Sequence, residues 1–273
     1  MGDYLNTAAE ALSMGFIQRA LLAGTMLGIF SGIISVFIVL RRISFLGSGI
    51  SHAAFGGVAI GFVTGINPVF TALAYSIATA IGIEQISARG RVSEDTAIGI
   101  FFASSMALGI VLLGLSSSYN VDLYGYLFGS ILAVTHADMM SAVFMTLILT
   151  SAIVLITKEL HFITFNEELA YASGIRVRLI KFIFMICMAI AIVTGIKLVG
   201  VILVSALLVI PGATANLLTN SLFKMIIVSS LITLFSVVTG IFTSYLFNLA
   251  PGGTIVLIMS ACFAAAYLSR RNC

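Results

Sequence analysis

The sequence predicts an all-α polytopic membrane protein with eight to nine transmembrane helices, and three observations carry that expectation. Of its 273 residues, 60% are hydrophobic and 8% charged, with a mean hydropathy of +1.20, far from the balance of a soluble domain. Charge-free stretches cover 20–40, 43–83, 96–121, 139–157, 182–196, 198–223 and 225–269. About 20 apolar residues cross a bilayer, so the longest of these must hold more than one crossing. Third, nowhere does the chain alternate apolar and polar residues over short segments, as a membrane β-barrel would.

The elements follow in chain order. The opening MGDYLNTAAEALSMGF carries acids and no basic region, so it reads as an interfacial helix rather than a cleaved signal peptide. The first span stops at Arg41-Arg42. The next, over 43–65, is dense in Gly, Ala and Ser, which let helices approach closely. Asn67-Pro68 starts a third span that ends near Gly90. Glu94 and Asp95 then open a fourth, where the helix dipole favours carboxylates and Arg89 and Arg91 offer partners. Ser116–Asn120 ends it.

The segment 121–138, VDLYGYLFGSILAVTHAD, is too short and too glycine-broken for an ordinary crossing. A re-entrant or outer-surface segment is expected, tolerable at membrane depth where other protein covers it. His136 and Asp138 at its end read as a solvated loop. A span over 139–157 leads into the most charged part of the chain, KELHFITFNEELAYASGIRVRLIK (158–181). That loop holds its own short helix, confined to about residues 167–173. Asn166 caps its first turn, Glu167 and Glu168 meet its dipole, and Gly174 closes it in the left-handed conformation. His161 is expected to be exposed. Spans over 182–196 and 198–218 are divided at Lys197. Pro211, inside the second, should break or kink it, leaving Thr214 and Asn216 near the freed carbonyls. Asn220 and the turn NLAPGGT (248–254) bound the last two spans, which end at Arg270.

Charge placement sets the topology. With 158–181 in the cytoplasm, alternation puts Arg41, Arg42, Arg89, Arg91, Lys158, Arg176, Arg178, Lys181, Lys224, Arg270 and Arg271 inside. Only Arg19 and Lys197 fall outside, in keeping with the positive-inside rule. The N-terminus is thus expected outside and the C-terminus in the cytoplasm, the whole chain (1–273) forming a single transmembrane domain of the cell membrane. Cys187, Cys262 and Cys273 form no CxxC pair, and the two within apolar segments read as packing residues. The phosphate-cradling GxxxxGK[ST] loop is absent. Any uphill transport driven by ATP therefore needs an ATPase on another chain, and the helix in 158–181 is a docking surface for such a cytoplasmic partner.

Polar chemistry enters the membrane chiefly at 43–65. Ser48 and His52, four residues apart, share one helix face, with Ser44 and Ser51 close to it. Imidazole suits Zn²⁺ and similar borderline ions. Two readings stand: a histidine hydrogen-bonded across a helix interface, or a functional group on a transport path.

Six stretches together resemble one family: FLGSGISHAAFGGVAIG (45–61), GRVSEDTAIGIFF (90–102), YLFGSILAVTHAD (126–138), KELHFITFNEELAYASGI (158–175), KLVGVILVSALLVIPGATA (197–215) and APGGTIVL (250–257). In this order they resemble the permease subunits of zinc/manganese-type (ABC-3 family) ABC importers. The resemblance implies a permease homodimer with a translocation path at the shared interface. It also implies two cytoplasmic ATPase subunits and an extracytoplasmic metal-binding protein. Residues 165–174 correspond to the family's coupling helix, with Glu167, Glu168, Leu169, Ala170, Tyr171, Ala172 and Gly174 as ATPase contacts. His52 matches the histidine of the family's D-x-x-x-H metal pattern, but Ser48 stands at the acidic position, which favours a transient site. Pro211, Thr214 and Asn216 are then expected along the path.

The expected function is import of a divalent metal ion, zinc or manganese. A single imidazole without carboxylates leans to the softer zinc. The permease performs no bond chemistry and keeps no bound cofactor, the metal being cargo; membrane lipid surrounds it and nucleic acid has no part. The rival reading, an ion-gradient-driven secondary transporter, needs acids or bases at the membrane midplane, and His52 is nearly the only one offered.

Overall fold

A computed structural model describes residues 13–88, 90, 92–115 and 134–271. Among these, every regular element is an α-helix: α1 Gly15–Leu40, α2 Leu46–Thr64, α3 Pro68–Ser87, α4 Glu94–Leu115, α5 His136–Phe165, α6 Glu167–Ala172, α7 Val177–Val199, α8 Val201–Leu207, α9 Ile210–Leu218, α10 Leu222–Phe247 and α11 Pro251–Arg271. Nine segments of the described residues are long and apolar enough to cross a membrane, with α8 and α9 together making one of them. The expectation of an all-α polytopic membrane protein holds. Most of 121–138 lies outside the described residues, as do the first 12 residues.

The helix boundaries follow local chemistry. Asn67 caps α3 by accepting from the Val69 amide at 2.9 Å, with Pro68 in the first turn, where its missing N–H costs nothing. The proline expected to break the 198–218 span does so. α8 ends at Leu207, and α9 restarts at Ile210 with Pro211 in its first turn. Lys197 is not a break: α7 runs through it to Val199 and stops at Gly200, whose φ is 83°. The charged loop also begins later than its composition indicates. α5 is 30 residues long, about 45 Å at 1.5 Å per residue. That exceeds a hydrocarbon core of about 30 Å, so 158–165 continues a spanning helix. His161, on this extension, is half-buried rather than exposed; its ring meets Phe165 edge-on at 6.0 Å.

The chain divides into two compact units, one of Met1–Val39, Tyr124–Leu147 and Gly195–Cys273, the other of Leu40–Leu123 and Ile148–Thr194. In the second unit α2 is the central element, packed on α3 and α4. It is 72% buried over its apolar window, against 17% for α4. Its glycines make this possible: a Cβ on Gly57 would lie 2.6 Å from the Ala72 Cα atom. Lipid is as apolar as the side chains, so such backbone contact, rather than expulsion of water, holds these helices together. In the first unit α1 meets α10 through a buried Ser35–Ser229 hydroxyl pair at 2.8 Å, and α10 packs on α11 and α9.

Two charge clusters test the alternation of loops. In the first unit, Arg19 Nε donates to the Val134 carbonyl at 2.9 Å, and Lys197 Nζ to Asp138 Oδ1 at 2.6 Å. The two cations expected on the same side thus both end at the start of α5. Asp138 is therefore paired rather than simply solvated. In the second unit, four groups whose loops were assigned to one side also converge, as the next section describes.

Candidate functional site

The short helix α6 is built as its sequence dictates. Asn166, in extended conformation, accepts from the Leu169 amide at 3.0 Å. At the other end the Gly174 amide reaches the Tyr171 carbonyl at 3.0 Å and the Ile175 amide the Ala170 carbonyl at 3.1 Å. This double closure requires the left-handed backbone of Gly174, φ 82°. One residue anchors the helix. Ala170 is fully buried and belongs to an apolar cluster with Ile163 of α5 and Val177 of α7, flanked by Ile175 and Ile180. Leu169 is 56% exposed and Tyr171 77%, and Glu168, Ala172 and Gly174 are exposed beside them. A helix this short has little stability of its own. Its caps and its alanine anchor hold it while two large apolar side chains face outward.

Beneath α6 lies a polar cluster. Lys181 of α7 is buried, and its Nζ contacts Glu167 Oε2 at 2.7 Å and Glu94 Oε1 at 3.4 Å. Glu94, in the first turn of α4, also accepts from Arg41 Nη2 at 2.9 Å. The Arg41 guanidinium lies 5.5 Å from the centre of the Phe184 ring. The expectation that Glu94 sits where a helix start favours carboxylates is met. The expected partners Arg89 and Arg91 lie outside the described residues; Arg41 and Lys181 are the partners seen. A cavity of about 910 Å³ opens here, lined by Glu84 and Gln85 of α3, Glu167, Glu168 and Tyr171 around α6, and Arg178 and Lys181 of α7. Sequence reasoning passed over Glu84. The signal available was that it is the one acid at the end of a long uncharged stretch.

The intramembrane stripe is a separate place in the same unit. Ser48 and His52 are both half-buried on α2. His52 Nδ1 lies 3.2 Å from Met106 Sδ on α4, and its ring meets Phe102 at 4.5 Å, edge-on. Ser51 is fully buried and returns its hydroxyl to the Gly47 carbonyl at 2.7 Å. Among the described residues no group of three or more His, Cys, Asp or Glu could hold a metal ion. The histidine is thus engaged across a helix interface, as the first of its two readings has it, and any metal it met would find few protein ligands.

Pro211, Thr214 and Asn216 belong to the other unit. Pro211 is buried; Thr214 is 1% exposed and gives its hydroxyl to the Ile210 carbonyl at 2.8 Å; Asn216 is exposed. The close packing of α9 is set at Gly212, where a Cβ would press into the Ser35 backbone of α1.

Comparison with known proteins locates this architecture. The family model of the ABC 3 transport family matches residues 13–270. The manganese transport system membrane protein MntC of Listeria innocua is 40% identical over 257 residues, covering 94% of this chain and 91% of that protein. The manganese import system permease protein ScaB of Streptococcus parasanguinis is 38% identical over 208 residues, 76% of this chain and 74% of that one. Among solved structures, PsaBC from Streptococcus pneumoniae in complex with Fab aligns with a TM-score of 0.84 at 36% identity, covering 96% of this chain and 95% of that one.

Proposed function

The chain belongs to the ABC 3 transport family, a multi-pass protein of the cell membrane, and from that premise we propose that it is the permease subunit of an ATP-driven importer of divalent metal ions. The observation that carries this reading is α6: a doubly capped helix, anchored by Ala170, that turns Leu169 and Tyr171 outward. Such a surface fits the groove of a separate ATPase. An extracytoplasmic metal-binding protein would deliver the ion, and two permease copies would enclose its path. The nine spans among the described residues act as one permease domain, with the N-terminus outside and α6 in the cytoplasm. The positive-inside distribution supports that orientation. ATP-driven closure of the ATPases would push on α6 and switch the permease from outward- to inward-facing. Transport is the chain's whole task, with hydrolysis left to its partner.

The cargo reading moves from zinc to manganese. MntC and ScaB are both named for manganese. The lean to zinc rested on one imidazole, and His52 meets Met106 with no group of three or more His, Cys, Asp or Glu around it among the described residues. The Ser48–His52 stripe remains our proposed point of passage, a weak site from which the ion can leave. Pro211, Thr214 and Asn216 are proposed along the path on the strength of the broken span.

Co-purification tests the main reading. Changing Leu169 and Tyr171 to Asp should release the ATPase from an otherwise assembled permease. Retained association would remove α6 from the interface. For the stripe, an assembled His52→Ala permease should take up manganese more slowly, whereas unchanged uptake would leave the histidine a packing role. An ion-gradient mechanism would instead show uptake that survives loss of ATP.

A further inference from the structure

The polar cluster under α6 holds one acid that forms no ion pair among the described residues. Glu84 is 1% exposed, and its Oε2 is buried without a hydrogen-bond partner among the described residues. Arg41 Nη1 is likewise buried and unpartnered. A buried carboxylate oxygen left this way is costly, and Glu84 lines the same cavity as Lys181 and Glu167. Lys181 is the mobile member of the group, an ammonium on a flexible four-carbon stem. At present it is shared between Glu94 and Glu167.

The two candidate partners differ in what they would lose. The Glu167 side chain is 55% exposed, so water replaces Lys181 readily when the pair opens, and such pairs contribute little. Glu84, 1% exposed and with Oε2 buried and unpartnered, is far less hydrated and gains the most from a cation. The charges facing the cavity are Glu84, Glu167, Glu168, Arg178 and Lys181, with Glu94 and Arg41 behind Lys181. Arg178 is turned onto the Phe182 ring, 5.6 Å from its centre. Of the described cations lining the cavity, Lys181 is the one left to turn toward Glu84.

We propose that Glu84 is the alternate seat of the Lys181 ammonium: when α6 is displaced, Lys181 passes from Glu167 to Glu84. The exchange ties the end of α3 to the start of α7 in one state and α6 to α7 in the other. Glu84 is then a positioning residue for transport, acting through Lys181 and touching no ion. The proposal rests on the reading of α6 as the ATPase-docking helix.

The test uses the complete transporter in proteoliposomes, with ATPase subunits, binding protein and Mn²⁺, and compares wild type with Glu84→Gln and Glu84→Asp. Because Glu84 has no ion-pair partner among the described residues, Glu84→Gln should assemble, keep its ATPase and be at least as resistant to heat as wild type. It should nevertheless transport roughly tenfold less manganese per ATP hydrolysed. Glu84→Asp, charged but one methylene shorter, should fall between. A wild-type ratio in Glu84→Gln overturns the proposal. So does failure of that variant to assemble, or a loss of heat resistance, since either would mean that the charge is needed at rest. These outcomes are separate from the docking reading, which stands or falls on ATPase association of the Leu169 and Tyr171 variants.

Discussion

Replacing Gly174 by alanine isolates the contribution of one backbone angle to docking. A Cβ at this position meets nothing within 4 Å, so the substitution adds no clash with neighbouring atoms. What it adds is the cost of holding an L-residue at φ 82°, roughly 1–2 kcal/mol. That strain can be relieved only by opening the two closing hydrogen bonds to Tyr171 and Ala170, which are what end α6. If the ATPase binds α6 in its closed form, the strain reappears as lost affinity, about five- to thirtyfold. Titrating detergent-solubilised permease with purified ATPase subunit measures it directly. Gly174→Asn provides the control, because asparagine tolerates the left-handed region far better; it should recover most of the loss. Equal affinity for Ala and Gly would mean that the end of α6 plays no part in docking. Equal loss for Ala and Asn would mean that the position acts by contact instead of conformation.

Other expectations follow from the same geometry. Asn166→Ala removes the cap at Leu169 and should cost about 1 kcal/mol of α6 stability, read as faster hydrogen exchange over 167–173 with the spans unaffected. Arg41→Met leaves Glu94 with Lys181 alone; because the arginine side chain is 5% exposed, thermal unfolding should drop by an amount equivalent to about 3 kcal/mol, and a silent variant would show that the Lys181 contact suffices. Lys197→Met opens a pair whose lysine is 56% exposed and should cost no more than about 1 kcal/mol. Gly57→Val drives a side chain into the α3 backbone at Ala72 and should abolish accumulation of folded protein, while Gly99→Ala, with nothing within 4 Å, should be tolerated in the same expression assay.

Local features were legible in the sequence and distant ones were not. The cap of α6, its Gly174 closure and the break before Pro211 are written within a few residues, where side-chain and backbone chemistry act directly. That the chain holds eight or nine apolar helices was equally plain, because the bilayer demands length and hydrophobicity without regard to partner. The polar cluster was hidden because its members come from far apart: 53 residues separate Arg41 from Glu94, and 87 separate Glu94 from Lys181. Charge alternation had nonetheless placed these loops on one side, and Arg41, Glu94, Glu167 and Lys181 do meet. The lean to zinc finds no support in the relatives, which are named for manganese, and the surroundings of His52 were equally distant in sequence. A histidine's spacing says which helix face it shares, but not that a methionine 54 residues on will engage its ring. The reach of α5 past Lys158 was obscured because charges mark where a helix leaves the lipid, not where it ends.

The two cations that break the charge rule also impose an order of assembly. Arg19 and Lys197 both terminate at the His136 end of α5, one through the Val134 carbonyl 115 residues away, the other through Asp138 at 59. A chain emerging from its N-terminus therefore carries Arg19 alone through the synthesis of three further spans. Asp138, bonded locally to Thr135, lacks its cation until α7 has been completed to its last turn. That end of α5 is consequently the last of the first five spans to be fixed. A chain truncated before Lys197 should leave it open to proteases that the full-length protein resists.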